Sequence, residues 1–200
     1  MRFAIIGAGM AGILSAIKLT EAGYDDIVVY EKADRLGGTW RENTYPGVAC
    51  DVPSHLYSYS FDLNPDWSHV FSPGQEILEY FEAVASRHDL DALIRYNAEI
   101  TDCDFVDGRW SIRGREGLVD TADVVIAATG VLHHPSYPDI DGLETFAGSI
   151  FHSARWDHEV PLEGSKVGVI GTGSTAIQIT GALVEKVEHF SLFQRTAQWI

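Results

Sequence analysis

Glycines fall at phosphate-binding spacing twice in this chain. The first set reads Gly7-Ala8-Gly9-Met10-Ala11-Gly12 after the apolar run Phe3-Ala4-Ile5-Ile6. The second reads Gly171-Thr172-Gly173-Ser174-Thr175-Ala176 after Val167-Gly168-Val169-Ile170. Glycines at such a turn let the backbone approach a pyrophosphate, and the N–H groups that open the following helix bind its charge. About 20 residues further on, units of this kind place the side chain that meets the 2' carbon of an adenine ribose. Laying the first register onto the second puts Glu31 over Arg195. A carboxylate accepts a hydrogen bond from a free 2'-hydroxyl and repels a 2'-phosphate, whereas a guanidinium binds that phosphate. The pattern predicts two dinucleotides, one with a plain ribose and one phosphorylated there. FAD and NADPH are the natural pair.

Other residue types add to this chemistry or fail to. Lys32 neighbours the ribose position, and Gly37-Gly38-Thr39-Trp40 follows as a loop on the cofactor side, its backbone and hydroxyl within reach of phosphate or flavin. Asp51 sits in Cys50-Asp51-Val52-Pro53, near Tyr57 and Tyr59; as a residue type it is equally a turn cap. Cys50 and Cys103 stand alone, without a Cys-x-x-Cys pair, which disfavours a dithiol flavin reductase. His133 and His134 are adjacent, but no Cys, Asp or Glu cluster at ligand spacing accompanies them, and no metal is expected. No Ser-His-Asp arrangement is evident.

The elements that must carry these residues are legible in outline. Residues 2–7 read as a buried parallel strand, Met10 to Glu21 as a helix with Ile13, Ala16, Ile17 and Leu19 inward, and Ile27 to Glu31 as a second strand. That strand–turn–helix–strand context gives the glycine motif its meaning. Residues 32–73 are rich in Gly, Pro, Asn, Ser and aromatics, and so long an irregular stretch is usually functional. A helix is expected from Gln75 to Arg87. A β-meander is expected over Ala98–Val106, Trp110–Arg113 and Leu118–Thr121, with an Asp107-Gly108 turn. Val124 to Ala128 is a further buried strand, and a proline-containing connector runs from His133 to Pro161. The second unit starts at Lys166, with a helix from Ser174 to Val187 and a strand from His189 to Phe193. The fold class is therefore α/β: a Rossmann-like doubly wound parallel sheet with a β-meander binding FAD, then the start of a second Rossmann-like domain. The domains are placed at 1–145, with a connector at 146–164 and the NADPH-binding part at 165–200.

A chain of 200 residues can bury one good core and part of another. The net charge of -15 argues against nucleic acid and anionic membrane surfaces as partners. The first strand begins almost at Met1, so no signal peptide is expected, and no apolar run reaches membrane-spanning length. A cytoplasmic protein is expected.

Between the two loops lies Phe146-Ala147-Gly148-Ser149-Ile150-Phe151-His152-Ser153-Ala154-Arg155-Trp156-Asp157, that is, Phe-x-Gly-x-x-x-His-x-x-x-Trp-Asp. This resembles the fingerprint of the class B flavin monooxygenases known as Baeyer–Villiger monooxygenases. Tyr45-Pro46-Gly47 leading to Asp51-Val52-Pro53-Ser54-His55, Ala128-Thr129-Gly130 and Gln194-Arg195-Thr196 extend the likeness over the whole chain. The resemblance implies an enzyme that inserts one oxygen atom of O2 next to a ketone carbonyl, giving an ester or lactone through a C4a-peroxyflavin. It implies that FAD is lined by Gly7, Gly9, Gly12, Glu31, Lys32, Gly38, Thr39, Trp40, Asp51, Tyr57 and Ile100. NADPH would meet Ala49, Cys50 and Asp51 at its nicotinamide side, and Gly171, Thr172, Gly173, Ser174, Thr175 and Ala176 at its pyrophosphate. Arg195 and Thr196 would meet the 2'-phosphate. Asp51 matches the acid that orients the family's catalytic arginine, and His152, supported by Trp156, would couple domain movement to NADPH handling; a packed hinge is the competing role. The arginine itself is not in this chain, and family members are more than twice as long. The expectation is an N-terminal portion, completed by a longer protein or a second chain. The rivals are a related N- or S-monooxygenase and a truncated FAD-binding fragment without activity of its own.

Overall fold

Phe3–Ile6 (β1) and Ile27–Tyr30 (β2) are apolar along their whole length and buried along nearly all of it, as befits parallel strands covered on both faces. The computed structural model describes residues 1–132 and 134–197, and contacts group the chain into two units. The first comprises Met1–Arg41, Tyr59–Leu63 and Ile77–Leu132; the second comprises Glu42–Ser58, Asn64–Glu76 and His133–Ile200.

In the first unit a parallel sheet has the order β3-β2-β1-β7, with β3 at Ile94–Arg95 and β7 at Val124–Ala127. Strand alternation sends Ala4, Val28 and Tyr30 to one face, where they form a core cluster with Ile112 and Ala122 of the meander. The meander is antiparallel, β4 (Ile100–Val106), β5 (Arg109–Gly114) and β6 (Val119–Ala122), and its first turn has positive φ at both Asp107 and Gly108. Two consecutive positive φ values match the right-handed twist of a hairpin. The helix α1 (Met10–Glu21) packs on β1 and β2 and buries Gly12, Ile13, Ala16 and Ile17. The helix α3 (Gly74–Arg87) begins in the second unit; its first-unit part buries Ile77, Leu78, Phe81, Val84 and Ala85.

In the second unit β8 (Lys166–Ile170) and β9 (His189–Phe193) pair in parallel around α4 (Ser174–Leu183). Tyr45, Ile179 and Leu183 are buried there, with Val48, Trp156, Leu162, Val169, Val187 and Phe190 packed against them. The helix is shorter than its apolar pattern suggests. The N–H groups of Lys186 and Val187 both return to the Leu183 carbonyl, and this turn delivers the chain into β9. Strand β3 has no signal in the sequence, because two residues are too few to show a period. The irregular stretch 32–73 contains one short helix, α2 (Thr39–Glu42), and two isolated bridges, Ala49 with Pro73 and Tyr59 with Asp62. Among the described residues no helix is long and apolar enough to cross a membrane.

Candidate dinucleotide-binding sites

The first loop is fixed by contacts only glycine can make. Gly7 has φ +104°, and a Cβ there would lie 2.5 Å from the Ala128 carbonyl oxygen. A Cβ on Gly12 would lie 1.9 Å from the Gly7 oxygen, so α1 could not start so close to β1. Gly38, at φ +52°, brings its backbone onto Gly9; a Cβ there would sit 2.9 Å from the Gly9 Cα. The loop Gly37-Gly38 and the first glycine turn are therefore one structure, joined further by the Gly37 N–H donating to the Ala8 carbonyl at 3.0 Å.

Glu31 stands at the C-terminal end of β2 and is 4% exposed. Its Oε2 accepts the Ala8 N–H at 2.8 Å, and its Oε1 accepts the Ala33 N–H at 3.0 Å. The Arg41 guanidinium lies 3.1 Å from Oε1, both side chains being almost fully covered. The carboxylate is thus locked onto the glycine turn by neighbouring amides and neutralised by a buried cation. Sequence reading missed Arg41; it directly follows Gly-Gly-Thr-Trp, but nothing in its type or position distinguishes it from a surface arginine. Lys32 and Thr39 are exposed and Trp40 is half-buried. Ile100 packs against the Ala4–Tyr30–Ile112 cluster, which gives it a place in the core.

The second loop repeats the build. Gly7 donates its N–H to the Tyr30 carbonyl, and Gly171 donates its own to the Phe193 carbonyl. Strand pairing agrees: Ile6 faces Tyr30, and Ile170 faces Phe193. The residue structurally equivalent to Glu31 is therefore Gln194, and Arg195 is equivalent to Lys32. This corrects the register read from sequence, which placed Arg195 over Glu31. The chain uses one residue fewer between Gly171 and Phe193 than between Gly7 and Tyr30, because α4 is shorter than α1. A neutral amide thus occupies the carboxylate position, with the guanidinium one residue beyond it.

A groove of about 860 Å³ runs along this loop. Ile170, Gly171, Thr172 and Gly173 form one wall, Leu192 to Thr196 another, and Pro138, Asp139 and Ile140 a third. The Pro138–Ile140 wall was not foreseen, since its residues lie in the connector and carry no motif. Among the described residues, no atom other than those of the chain neighbours lies within 4 Å of a Cβ built on Gly171 or Gly173, so this cradle faces open space. The Thr172 hydroxyl donates to the Thr196 carbonyl at 3.4 Å. Ser174 is exposed, Thr175 half-buried and Ala176 buried.

Asp51 and Tyr57 belong to the second unit, where Asp51 is exposed and Tyr57 half-buried. Ala49 is half-buried beside Cys50, whose N–H donates to the Ser72 carbonyl at 2.9 Å. Burial pushes the Cys50 thiol above its ordinary range, which opposes thiolate chemistry. In the fingerprint, His152 Nδ1 accepts the Ala154 N–H at 3.1 Å and caps the short turn Ser153–Arg155. With Nδ1 accepting, the neutral ring carries its proton on Nε2. The ring packs edge-on to Tyr137, and the His152 N–H donates to the Tyr137 hydroxyl. Trp156 meets Phe151 edge-on at 5.0 Å and packs on the Tyr45–Ile179–Leu183 cluster. Of the His133–His134 pair, His133 lies outside the described residues. Among those described, no three His, Cys, Asp or Glu side chains come together as metal ligands.

Two strand–glycine loop–helix–strand units, with a meander in the first, define an α/β protein built to hold dinucleotides at helix N-termini. The chain belongs to the pyridine nucleotide-disulphide oxidoreductase family, whose model matches residues 4–200. It is 53% identical over 197 residues to an uncharacterised monooxygenase of Mycobacterium tuberculosis, covering 98% of this chain and 40% of the relative. It is 48% identical over 202 residues to a Baeyer–Villiger monooxygenase of Streptomyces coelicolor, covering 100% of this chain and 39% of the relative. Its structure matches cyclohexanone monooxygenase from Rhodococcus sp. Phi1, solved with NADP+, at a TM-score of 0.90 and 40% identity; 99% of this chain and 38% of that one are covered. The resemblance to Baeyer–Villiger monooxygenases read from the motifs therefore holds, and the chain spans about two fifths of the length of these relatives.

Proposed function

We propose that this chain is the dinucleotide-binding part of an FAD- and NADPH-dependent Baeyer–Villiger-type monooxygenase. Residues 1–145 would form the FAD-binding domain, 146–164 the connector, and 165–200 the start of the NADPH-binding domain. One observation carries the reading: two glycine loops of the same build differ in the residue at the ribose position, a buried Glu31 in one and Gln194 followed by Arg195 in the other. The residues fit the two cofactors. Gly7, Gly12 and Gly38 let the first loop pack closely on its own backbone in the turn a pyrophosphate needs, and Gly171 to Gly173 line an open groove.

Glu31, held by Ala8 and Ala33, accepts the ribose hydroxyls of FAD and excludes a 2'-phosphate. The first N–H groups of α1 have no partner within the helix and meet the FAD phosphates. In the second unit those of Ser174, Thr175 and Ala176 do the same for NADPH, while Arg195 and Thr196 hold the 2'-phosphate. Ala49, Cys50 and Asp51 face the nicotinamide side, and His152 offers its Nε2 proton as a donor from a capped turn. Flavin, when bound, supplies hydride acceptance and oxygen activation. The protein's share is binding, orientation and exclusion of water.

Titrating FAD into the chain, then adding NADPH under anaerobic conditions, tests the reading. A shifted flavin band and its bleaching by NADPH are expected. A chain that shifts no flavin band, or a bound flavin that NADH bleaches as readily as NADPH, overturns it. With O2 admitted to the protein carrying this chain, ester from a ketone supports the Baeyer–Villiger assignment, and N-oxide from an amine replaces it by an N-monooxygenase.

A further inference from the structure

A hydrogen-bonded relay joins α4, the helix that follows the second glycine loop, to the Tyr45–Asp51 segment, entirely inside the second unit. Thr175, in the first turn of α4, opposes the upward push of burial on the Tyr45 phenol. The Tyr45 hydroxyl donates to Gln178 Oε1 at 2.8 Å. Gln178 Nε2 donates to the Ala49 carbonyl at 3.0 Å. The amide orientation is fixed by this pattern, since a carboxamide oxygen accepts and its nitrogen donates. Backbone packing reinforces the link. Gly47, at φ +82°, lies so close to α4 that a Cβ there would be 2.6 Å from the Gln178 carbonyl oxygen and 3.0 Å from the Ala182 Cβ. Tyr45 is 7% exposed, so its bond to Gln178 is shielded from water that would compete for it.

Both elements that the relay joins have a part in NADPH binding under the proposed function: the first turn of α4 at the pyrophosphate and Ala49 at the nicotinamide side. We propose that Gln178 is a positioning residue that makes occupancy of the second glycine loop set the placement of Ala49, Cys50 and Asp51. The inference rests on NADPH binding at that loop. Gln178 acts through Tyr45 and Ala49. A ligand that orders the first turn of α4 orders Gln178 one turn further on, and its side chain passes that order to Tyr45 and Ala49. A mere packing role would leave residues 45–51 indifferent to the ligand.

The test is hydrogen–deuterium exchange on the 200-residue chain, with and without NADP+, read on peptides covering 45–51, where the Cys50 N–H donates to the Ser72 carbonyl. NADP+ affinity is measured alongside by calorimetry. In the unsubstituted chain saturating NADP+ slows exchange there roughly fivefold or more, the lower end of ordinary coupling between sites. In Gln178→Leu, NADP+ still binds and slows exchange at Gly171–Ala176, but the protection at 45–51 is lost. Tyr45→Phe, which removes one oxygen and keeps the ring in the core, loses most of the same protection and decides the matter if the leucine variant does not fold. Protection at 45–51 that persists undiminished in these variants overturns the inference, as does its absence in the unsubstituted chain with NADP+ bound. No NADP+ binding to the unsubstituted chain overturns the assignment of the second loop, and the inference with it.

Discussion

Glu31 is, among the described residues, the one charged residue in the buried class, and the amides of Ala8 and Ala33 with the Arg41 guanidinium hold it in place. A carboxylate fixed this way needs no reorganisation to meet a ribose, and its partners offset the cost of its burial. Among the described residues of the second unit there is no such buried carboxylate. Gln194 takes the equivalent position, and under the proposed function its uncharged amide would leave the field at the 2' carbon to Arg195. Gln194→Glu is expected to weaken NADPH binding at least about tenfold, since a carboxylate about 4 Å from a phosphate costs well over the 1.4 kcal/mol this requires. NADH binding should change much less. Calorimetry with both nucleotides checks this, and equal losses for the two would remove Gln194 from the ribose site.

Between elements, Asp120 on β6 draws the meander onto the parallel sheet. It accepts from Arg2 at 2.6 Å and from the Tyr30 hydroxyl at the end of β2. Burial alone would raise the Asp120 pKa, but the bonds from Arg2 and Tyr30 hold it below the ordinary carboxylate value of 3.8. Tyr30 is pushed up to about 12, by burial first and then by its bond to Asp120. The signs follow from linkage. The depressed Asp120 contributes stability that is present above pH 3.8 and lost as pH falls through its folded value. The raised Tyr30 contributes stability that is full below pH 10 and lost as pH rises towards 12. Urea midpoints against pH should therefore fall on both flanks. Asp120→Asn should flatten the acid limb and Tyr30→Phe the alkaline one. Unchanged slopes in both variants would mean the latch contributes nothing to folding.

For the whole molecule, two cores serve two loops. Ala4, Val28, Tyr30, Ile112 and Ala122 belong to the first unit, and Tyr45, Ile179 and Leu183 to the second. Each dinucleotide should then stabilise its own unit, by about 2.7 kcal/mol at a hundredfold excess over Kd. Exchange under mild urea should show FAD protecting Gly7–Ile17 and NADP+ protecting Gly171–Ile179, each with the smaller effect on the other stretch. Equal protection of both by either ligand would show the units unfolding as one.

The local chemistry was legible from residue order. Gly7, Gly12 and Gly171 announce their turns because no side chain tolerates those dihedrals or that closeness. The runs Phe3–Ile6 and Ile27–Tyr30 announce buried strands because every residue is apolar. The segment from Phe146 to Asp157 resembles the Baeyer–Villiger monooxygenase fingerprint in its residue types and in its place between the two glycine loops. What tertiary structure decided is which side chains meet. Glu31 matches Gln194 and not Arg195, because helix length sets where each second strand ends, and no residue type encodes that. Arg41 reaches Glu31, and Gln178 joins Tyr45 to Ala49, because folding brings together segments whose separation in sequence carries no period. Covalent order dictates conformations of a few consecutive residues; contacts between distant ones exist only once the core has packed.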